Sequence, residues 1–407
     1  MRPLEEARAE VLEAVSPLGS ETVPLAEAEG RILAEDVIAP GDVPPFPNSA
    51  MDGFAVIAAD VRSVPVRLRV IEDVPAGSVA TRTVTPGTAI KIMTGAPMPP
   101  GADAVVKVEV TRQPDPDTVE ILESVEPGAA VRPAGGDIAA GSVVLEAGRA
   151  LGPVELGLLA TAGVGRPKVG RRPRVALMAT GDELRPAEVA ELEPGQIRDS
   201  NRPLLRGLIH EAGGEVVDLG IVADDETALT AALSRAATEA DAIVTSGGVS
   251  MGEYDLIKRV LSARGTVDFW QVAMQPAKPF AFGHIESVPL FGLPGNPVSV
   301  MVAFEQFARP ALLKMQGARR LFRPRVVVPM GETIDTDPRK VVFVRVALHR
   351  DGNRLVARSS GGQSSNVLSA LGAADGLAVV PVGTGRVEAG EAVEVELFRH
   401  PSAEFGR

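Results

Sequence analysis

The chain has 407 residues, 45% hydrophobic and 23% charged, a composition that buries ample core and excludes a disordered or fibrous protein. It has no cysteine, which excludes disulfides, thiolate nucleophiles and zinc–thiolate sites and fits a reducing cytoplasm. A net charge of −12, with 14 aromatic residues in all, argues against a nucleic-acid partner.

Four histidines, His210, His284, His349 and His400, show no HxxxH spacing, so any metal is expected to be bound by oxygen. The opening MRPLEEARAEVLEAV lacks the basic start and apolar stretch of a secretory leader. The longest uncharged run, Ser287 to Phe304, is interrupted by Pro289, Pro294 and Pro297, so it reads as strand, turn and helix start rather than a membrane span.

At roughly 150 residues per domain, the length predicts two to four domains. Leu4, Ala7, Val11 and Val15 fall on one helical face, predicting an amphipathic helix over 3–16. Short Val/Ile-rich runs (RLRVIEDV, TAIKIM, ADAVVKVEV, DTVEILESV) between Pro and Gly then predict a small β domain, followed by a helical patch, PVELGLLATAG. Helical pieces on both sides mark the β domain as an insertion: 1–40 with 140–170 would form one small α+β domain and 41–139 the inserted β domain.

From 171 to 320 the pattern alternates. Strand candidates RVALMAT, EVVDLGIV, DAIVTSG, TVDFWQVAM and VPLFGL are separated mainly by helices expected to begin near Pro203, Glu226, Asp255 and Pro297. Near-continuous apolar strands alternating with helices predict a doubly wound parallel α/β domain. Strands return in 321–407 (RVVVPM, VVFVRVAL, NRLVAR, GLAVVP, AVEVELF), predicting a barrel-like C-terminal β domain.

Ligands of such sheets bind beyond the carboxyl ends of the strands. These ends read Thr180-Gly181-Asp182-Glu183, Asp224-Asp225, Ser246-Gly247-Gly248-Val249-Ser250 and Leu293-Pro294-Gly295-Asn296-Pro297. Glycines that free backbone N–H groups suit Ser246-Gly247-Gly248 to a phosphate, although neither a Walker loop nor GxGxxG is present. Asp182, Glu183, Asp224 and Asp255 on one rim would repel each other unless a hard cation such as magnesium sat among them, with Lys278 supplying further positive charge. Helix capping is the alternative for Asp224 or Asp225 and for Asn296 before Pro297. In the insertion, the segment Pro44 to Ala55 is expected to be an exposed rigid loop carrying Asn48, Ser49 and Asp52, with Met93 to Pro97 and Arg132 to Asp137 as a second ligand wall. Gly248-Val249-Ser250-Met251-Gly252 also fits the GxSxG elbow of serine hydrolases, with Asp268 and His284 downstream; the intervening Ser246-Gly247-Gly248 and the position of His284 ahead of a strand speak against it.

In order, PFPNSAMDGFAV, MTGAPMPPGADAVV, RPAGGDI, ATGDEL, SGGVSMGEYD, KPFAFG and LPGNPVS resemble the molybdopterin molybdenumtransferase family, to which the C-terminal part of gephyrin is related. The resemblance covers essentially the whole chain. It implies a four-domain homodimer that inserts molybdate into molybdopterin-adenylate with magnesium, releases AMP, and receives its adenylate from a molybdopterin adenylyltransferase partner. It further implies that Thr180, Gly181, Asp182, Ser246, Gly247, Gly248, Ser250, Pro294, Gly295, Asn296 and Pro297 bind the substrate, with Glu183, Asp224 and Asp255 as metal ligands. Asp52, Thr94, Arg132 and Asp137 would complete the site from the other subunit, and Arg345 and Ser365 would lie near the molybdate. Two departures stand out: Gln275 where relatives often have lysine, and Ser364 where they have glycine. The rival from another class is a gephyrin-like peptide-binding scaffold, which would not need the acidic rim.

Overall fold

The computed structural model describes residues 1–247, 260 and 265–399. The first helix, Leu4–Glu13, buries Leu4, Ala7 and Val11 as its spacing dictates. That face packs into the core of the α/β domain, with Leu205, Phe304 and Leu312, so the helix separates from the rest of the 1–40 segment. The remainder of that segment pairs with 140–170 as two antiparallel ribbons: Ser20–Thr22 on Lys168–Gly170, and Val37–Ile38 on Val143–Leu145. The helix Pro153–Thr161 closes over them, around Leu33, Leu145, Leu151 and Leu159.

The inserted β domain is one six-stranded sheet, in the order Ala104–Lys107, Gly53–Val56, Thr88–Ile92, Val66–Val74, Thr118–Ile121, Thr111–Asp115. The structure corrects the exposed-loop reading of residues 44–55 in part: Pro45, Phe46, Pro47, Met51 and Asp52 are exposed, the others are not. Gly53–Val56 is a wholly buried strand inside the sheet, and Asn48 and Ser49 are buried too, paired with Arg132 and Val131. Proline-rich composition concealed a strand that needs glycine at its start: a Cβ on Gly53 would lie 2.0 Å from the Val106 carbonyl oxygen.

The α/β sheet runs Glu215–Val222, Arg174–Thr180, Ala242–Ser246, Val288–Leu293, Pro279–Ile285, Gly265–Gln271. Its first four strands are parallel. The last two are antiparallel, so the sheet is mixed, and the fourth and fifth expected strands do not follow each other directly: Pro279–Ile285 comes between them. Side chains alternate across it, Val175 and Leu177 facing Leu205 and Phe304, Ala176 and Met178 facing Leu229 and Leu233. Burial on both faces is why these strands carry unbroken apolar runs.

The C-terminal strands Arg325–Pro329, Ala392–Leu397, Gly376–Val380, Val341–Asp351 and Arg354–Ser359 form an antiparallel sheet. It curls until Met330 bridges Ala357, giving the barrel-like form. Two features fix its pose. Met274–Gln275, from the α/β segment, adds a parallel strand beside Val341 and Val342. A buried chain of polar groups also crosses the junction: Arg8 donates to Gln306, Gln306 Nε2 donates to Glu396 at 2.9 Å, and Arg325 Nη2 donates to Glu396 at 2.6 Å. Both buried carboxamide and carboxylate are thereby satisfied, as a low-dielectric interior requires.

Candidate functional site

Three parallel strands end at one place. Gly247 N–H donates to the Leu293 carbonyl at 3.2 Å, and a Cβ on Gly247 would lie 2.6 Å from the Thr180 carbonyl. With φ at +93° and no room for a side chain, glycine is required there. Thr180 is buried, and its hydroxyl has no hydrogen-bond partner. Gly181 is also buried at this end, against the Glu183 carboxylate.

Behind this rim a residue that the sequence reading missed binds two strand ends together. Asn201 Nδ2 donates to Ser246 Oγ at 2.8 Å and to the Gly295 carbonyl at 2.6 Å. Its helix, Asn201–Glu211, starts there because Asp199 accepts from the backbone N–H groups of Asn201 and Arg202. The run Asp199-Ser200-Asn201-Arg202-Pro203 signals a helix start; the tie across to the sheet depends on packing that no local run encodes. Ser246 is thus buried and occupied with Asn201 rather than laid open to a phosphate.

The acidic rim is formed by Asp182, Glu183 and Asp224. Asp225 is the helix cap, accepting from Ala228 N–H at 2.9 Å, which settles the choice between the neighbours and leaves Asp224 uncommitted. Asp224 N–H donates to Asp182 Oδ1 at 3.3 Å, while its own Oδ1 is buried without a partner. Burial, then the charge of Asp182, and more weakly Glu183, hold the Asp224 carboxyl above its ordinary value. An orphaned carboxylate oxygen beside two further carboxylates fits a hard cation. Among the described residues, however, no three such groups close into a complete metal site. Asp255, the third expected ligand, lies outside the described residues, as do Gly248 and Ser250.

Next to the rim, a cleft of about 620 Å3 opens between the α/β domain and the barrel. Pro294, Asn296 and Lys278 line it from one side and Lys340, Gln363 and Ser365 from the other. Asn296 makes no capping bond to its helix; its Nδ2 donates instead to Ser365 Oγ at 3.0 Å. The Ser365 carbonyl accepts from Val298 N–H, which locks the barrel loop to the start of the helix at Pro297. Gly295 and Asn296 are exposed and Pro294 is buried.

Arg345 does not line this cleft. It is fully buried in the barrel, its Nη2 donating to the Gly362 and Ser364 carbonyls at 2.5 and 3.2 Å, and Nε and Nη1 have no partner. Burial pulls its pKa down. Here it shapes the loop that presents Ser365, with Gln363, another residue that the sequence reading missed, receiving Arg345 N–H at 3.0 Å.

On the inserted domain, Thr94 donates to Asp52 Oδ1 through both N–H and hydroxyl, each at 2.7 Å, which lowers the Asp52 pKa. Arg132 and Asp137 are exposed on the same domain. Among the described residues no hydrogen bond or ion pair joins these four to the α/β rim of their own chain. Asp268 on the edge strand and His284 on the antiparallel strand beside it lie within the sheet, not in loops over the strand ends, which removes the geometry of a hydrolase triad.

Comparison with known proteins agrees with this architecture. Residues 2–163 match the MoeA N-terminal region (domain I and II), 176–314 a probable molybdopterin binding domain, and 327–398 the MoeA C-terminal region (domain IV). The molybdopterin molybdenumtransferase of Haemophilus influenzae is 39% identical, over 98% of this chain and 99% of its own length. Molybdopterin molybdenumtransferase 2 of Mycobacterium tuberculosis is 40% identical, over 97% and 99%. The crystal structure of the molybdopterin biosynthesis moeA protein from Pyrococcus horikoshii superposes with a TM-score of 0.85 at 32% identity, covering 98% of this chain and all of that one. With its three segments matched in order and both relatives aligned end to end, the chain is an enzyme of the molybdopterin molybdenumtransferase family.

Proposed function

We propose that this protein inserts molybdate into adenylylated molybdopterin in a magnesium-dependent reaction that releases AMP. The observation that carries the reading is the cleft beyond the carboxyl end of Val288–Leu293. In a chain of net charge −12, its charged lining side chains among the described residues are lysines alone. A cleft of that sign attracts an oxyanion against the field of the rest of the molecule. The pterin substrate comes from the names of the relatives.

Within this reading Lys278 offsets oxyanion charge. Ser365 accepts from Asn296, so its own proton is free to be donated to an oxygen of molybdate, and Arg345 keeps that hydroxyl in place by holding the loop. Asp224, with Glu183 and Asp255, would hold magnesium, which supplies charge neutralisation at the adenylate phosphate. No covalent nucleophile is needed. Asp52, whose carboxylate Thr94 keeps ionised and oriented, would reach the rim of a second subunit with Arg132 and Asp137, making the homodimer the working unit. A cytoplasmic adenylyltransferase would hand over the adenylate.

The test is AMP release from molybdopterin-adenylate by the purified protein, with and without molybdate and Mg2+. Release that requires both supports the transferase. Tight pterin binding with no release under any condition overturns it in favour of a carrier.

A further inference from the structure

The oxyanion cleft takes one of its cations from an unexpected part of the chain. Gln275 occupies a position at which a lysine would add positive charge, and the residue paired beside it is not a neighbour in sequence. The parallel pairing of Met274 with Val341 and Gln275 with Val342 sets Lys340 next to Gln275, with Nζ donating to Gln275 Oε1 at 3.3 Å. Asp337 takes a second contact from the same Nζ at 2.9 Å. An ammonium has three N–H donors, so one is left over. The Asp337 carboxylate is shared with Arg339, which binds both of its oxygens at 3.0 Å, so Asp337, Arg339 and Lys340 together carry a net positive charge. Lys340 is held at 19% side-chain exposure on the barrel wall of the cleft, opposite Lys278.

We infer that Lys340 is a substrate-binding residue, the second cation for the tetrahedral oxyanion, doing from the barrel what a lysine at 275 would do from the α/β domain. The inference rests on the oxyanion reading of the cleft and adds a second residue, beside Lys278, that sets its affinity. It also accounts for Gln275, whose carboxamide oxygen receives Lys340 and steers the remaining N–H into the cleft. Asp337, held strongly ionised by Arg339 and Lys340, anchors the ammonium from behind.

Calorimetric titration of the full-length protein with sodium molybdate tests this. Lys340→Ala and Lys278→Ala should each weaken binding about tenfold, the loss of one charge-assisted hydrogen bond. Lys340→Arg should hold the affinity. Gln275→Lys, added to Lys340→Ala, should recover it by returning the charge to the same space, which a purely structural role for Lys340 would not allow. Lys340→Ala should also flatten the dependence of affinity on salt. Normal molybdate binding by Lys340→Ala alongside weak binding by Lys278→Ala overturns the role of Lys340 and leaves the oxyanion cleft standing. Normal binding by both variants overturns the cleft and the inference together.

Discussion

Replacing Asn201 with alanine should loosen the floor of the site by a predictable amount. The side chain is 9% exposed and makes two hydrogen bonds, to Ser246 Oγ at 2.8 Å and the Gly295 carbonyl at 2.6 Å. Ser246 is 2% exposed, so its hydroxyl cannot turn to water, whereas the carbonyl of exposed Gly295 can. Losing a bond that strands a buried group costs about 1–3 kcal/mol, and a bond whose partner rehydrates about 1 kcal/mol. Alanine keeps helix propensity at the first turn and also removes Oδ1, which is buried without a partner, so the expected loss is about 1–3 kcal/mol. The assay is urea unfolding followed by Trp270, the single tryptophan, which is buried in the core of this domain. The midpoint should fall while the slope stays constant. Ser246→Ala removes the stranded hydroxyl, so the double variant should lose less than the sum of the two single ones, with a coupling of about 1 kcal/mol. A loss under about 0.5 kcal/mol for Asn201→Ala, or strict additivity with Ser246→Ala, would refute the tie between the strand ends.

Two further outcomes are expected. Because burial and the Asp182 and Glu183 charges raise the Asp224 pKa above 3.8, the folded state binds its proton more tightly than the unfolded one, and stability falls as pH rises through this window. Asp224→Asn should therefore raise the melting temperature at neutral pH, with the gain vanishing near about pH 4, while AMP release drops; a lower melting temperature at neutral pH would contradict the electrostatics. On the proposed homodimer with its site shared between subunits, Asp52→Ala and Asp224→Ala should each be inactive alone. Unfolded and refolded together, they should regain about a quarter of wild-type activity, because half the dimers then carry one intact site of two. A mixture as inactive as its components would show that each site is built from one chain.

Much of the architecture was legible because it follows from local patterns. The apolar face of Leu4–Glu13 repeats at helical spacing, the unbroken runs Arg174–Thr180 and Val288–Leu293 mark strands covered on both faces, and helices start at Glu226 and Pro297 where the capping and proline signals stand. The expectation that a ligand sits beyond the strand ends followed from the parallel-sheet pattern, and the ordered motifs carried the family. Where the reading failed, the relevant partner was far away. Asn48, Ser49 and Gly53–Val56 look like a polar, proline-rich loop, and only their pairing with Arg132, Val131 and the neighbouring strands buries them. Packing also sets Arg345, expected near molybdate from its motif: the barrel buries it, with Nη2 on two loop carbonyls and Nε and Nη1 without a partner.

The sequence by itself thus determined most helices and strands, though not Gly53–Val56 or Pro279–Ile285, together with the α/β and β classes of the domains and the family, since these depend on periodicity and on ordered short motifs. The tertiary structure alone decided which charges meet. It set Lys340 beside Gln275 through a strand pairing across more than sixty residues, gave Asp225 the helix cap while leaving Asp224 free, and tied Asn201 to two strand ends. The physical reason is one of range: secondary structure responds to neighbours within a few positions, whereas the charge, burial and hydrogen bonding of a site depend on side chains that only packing brings together.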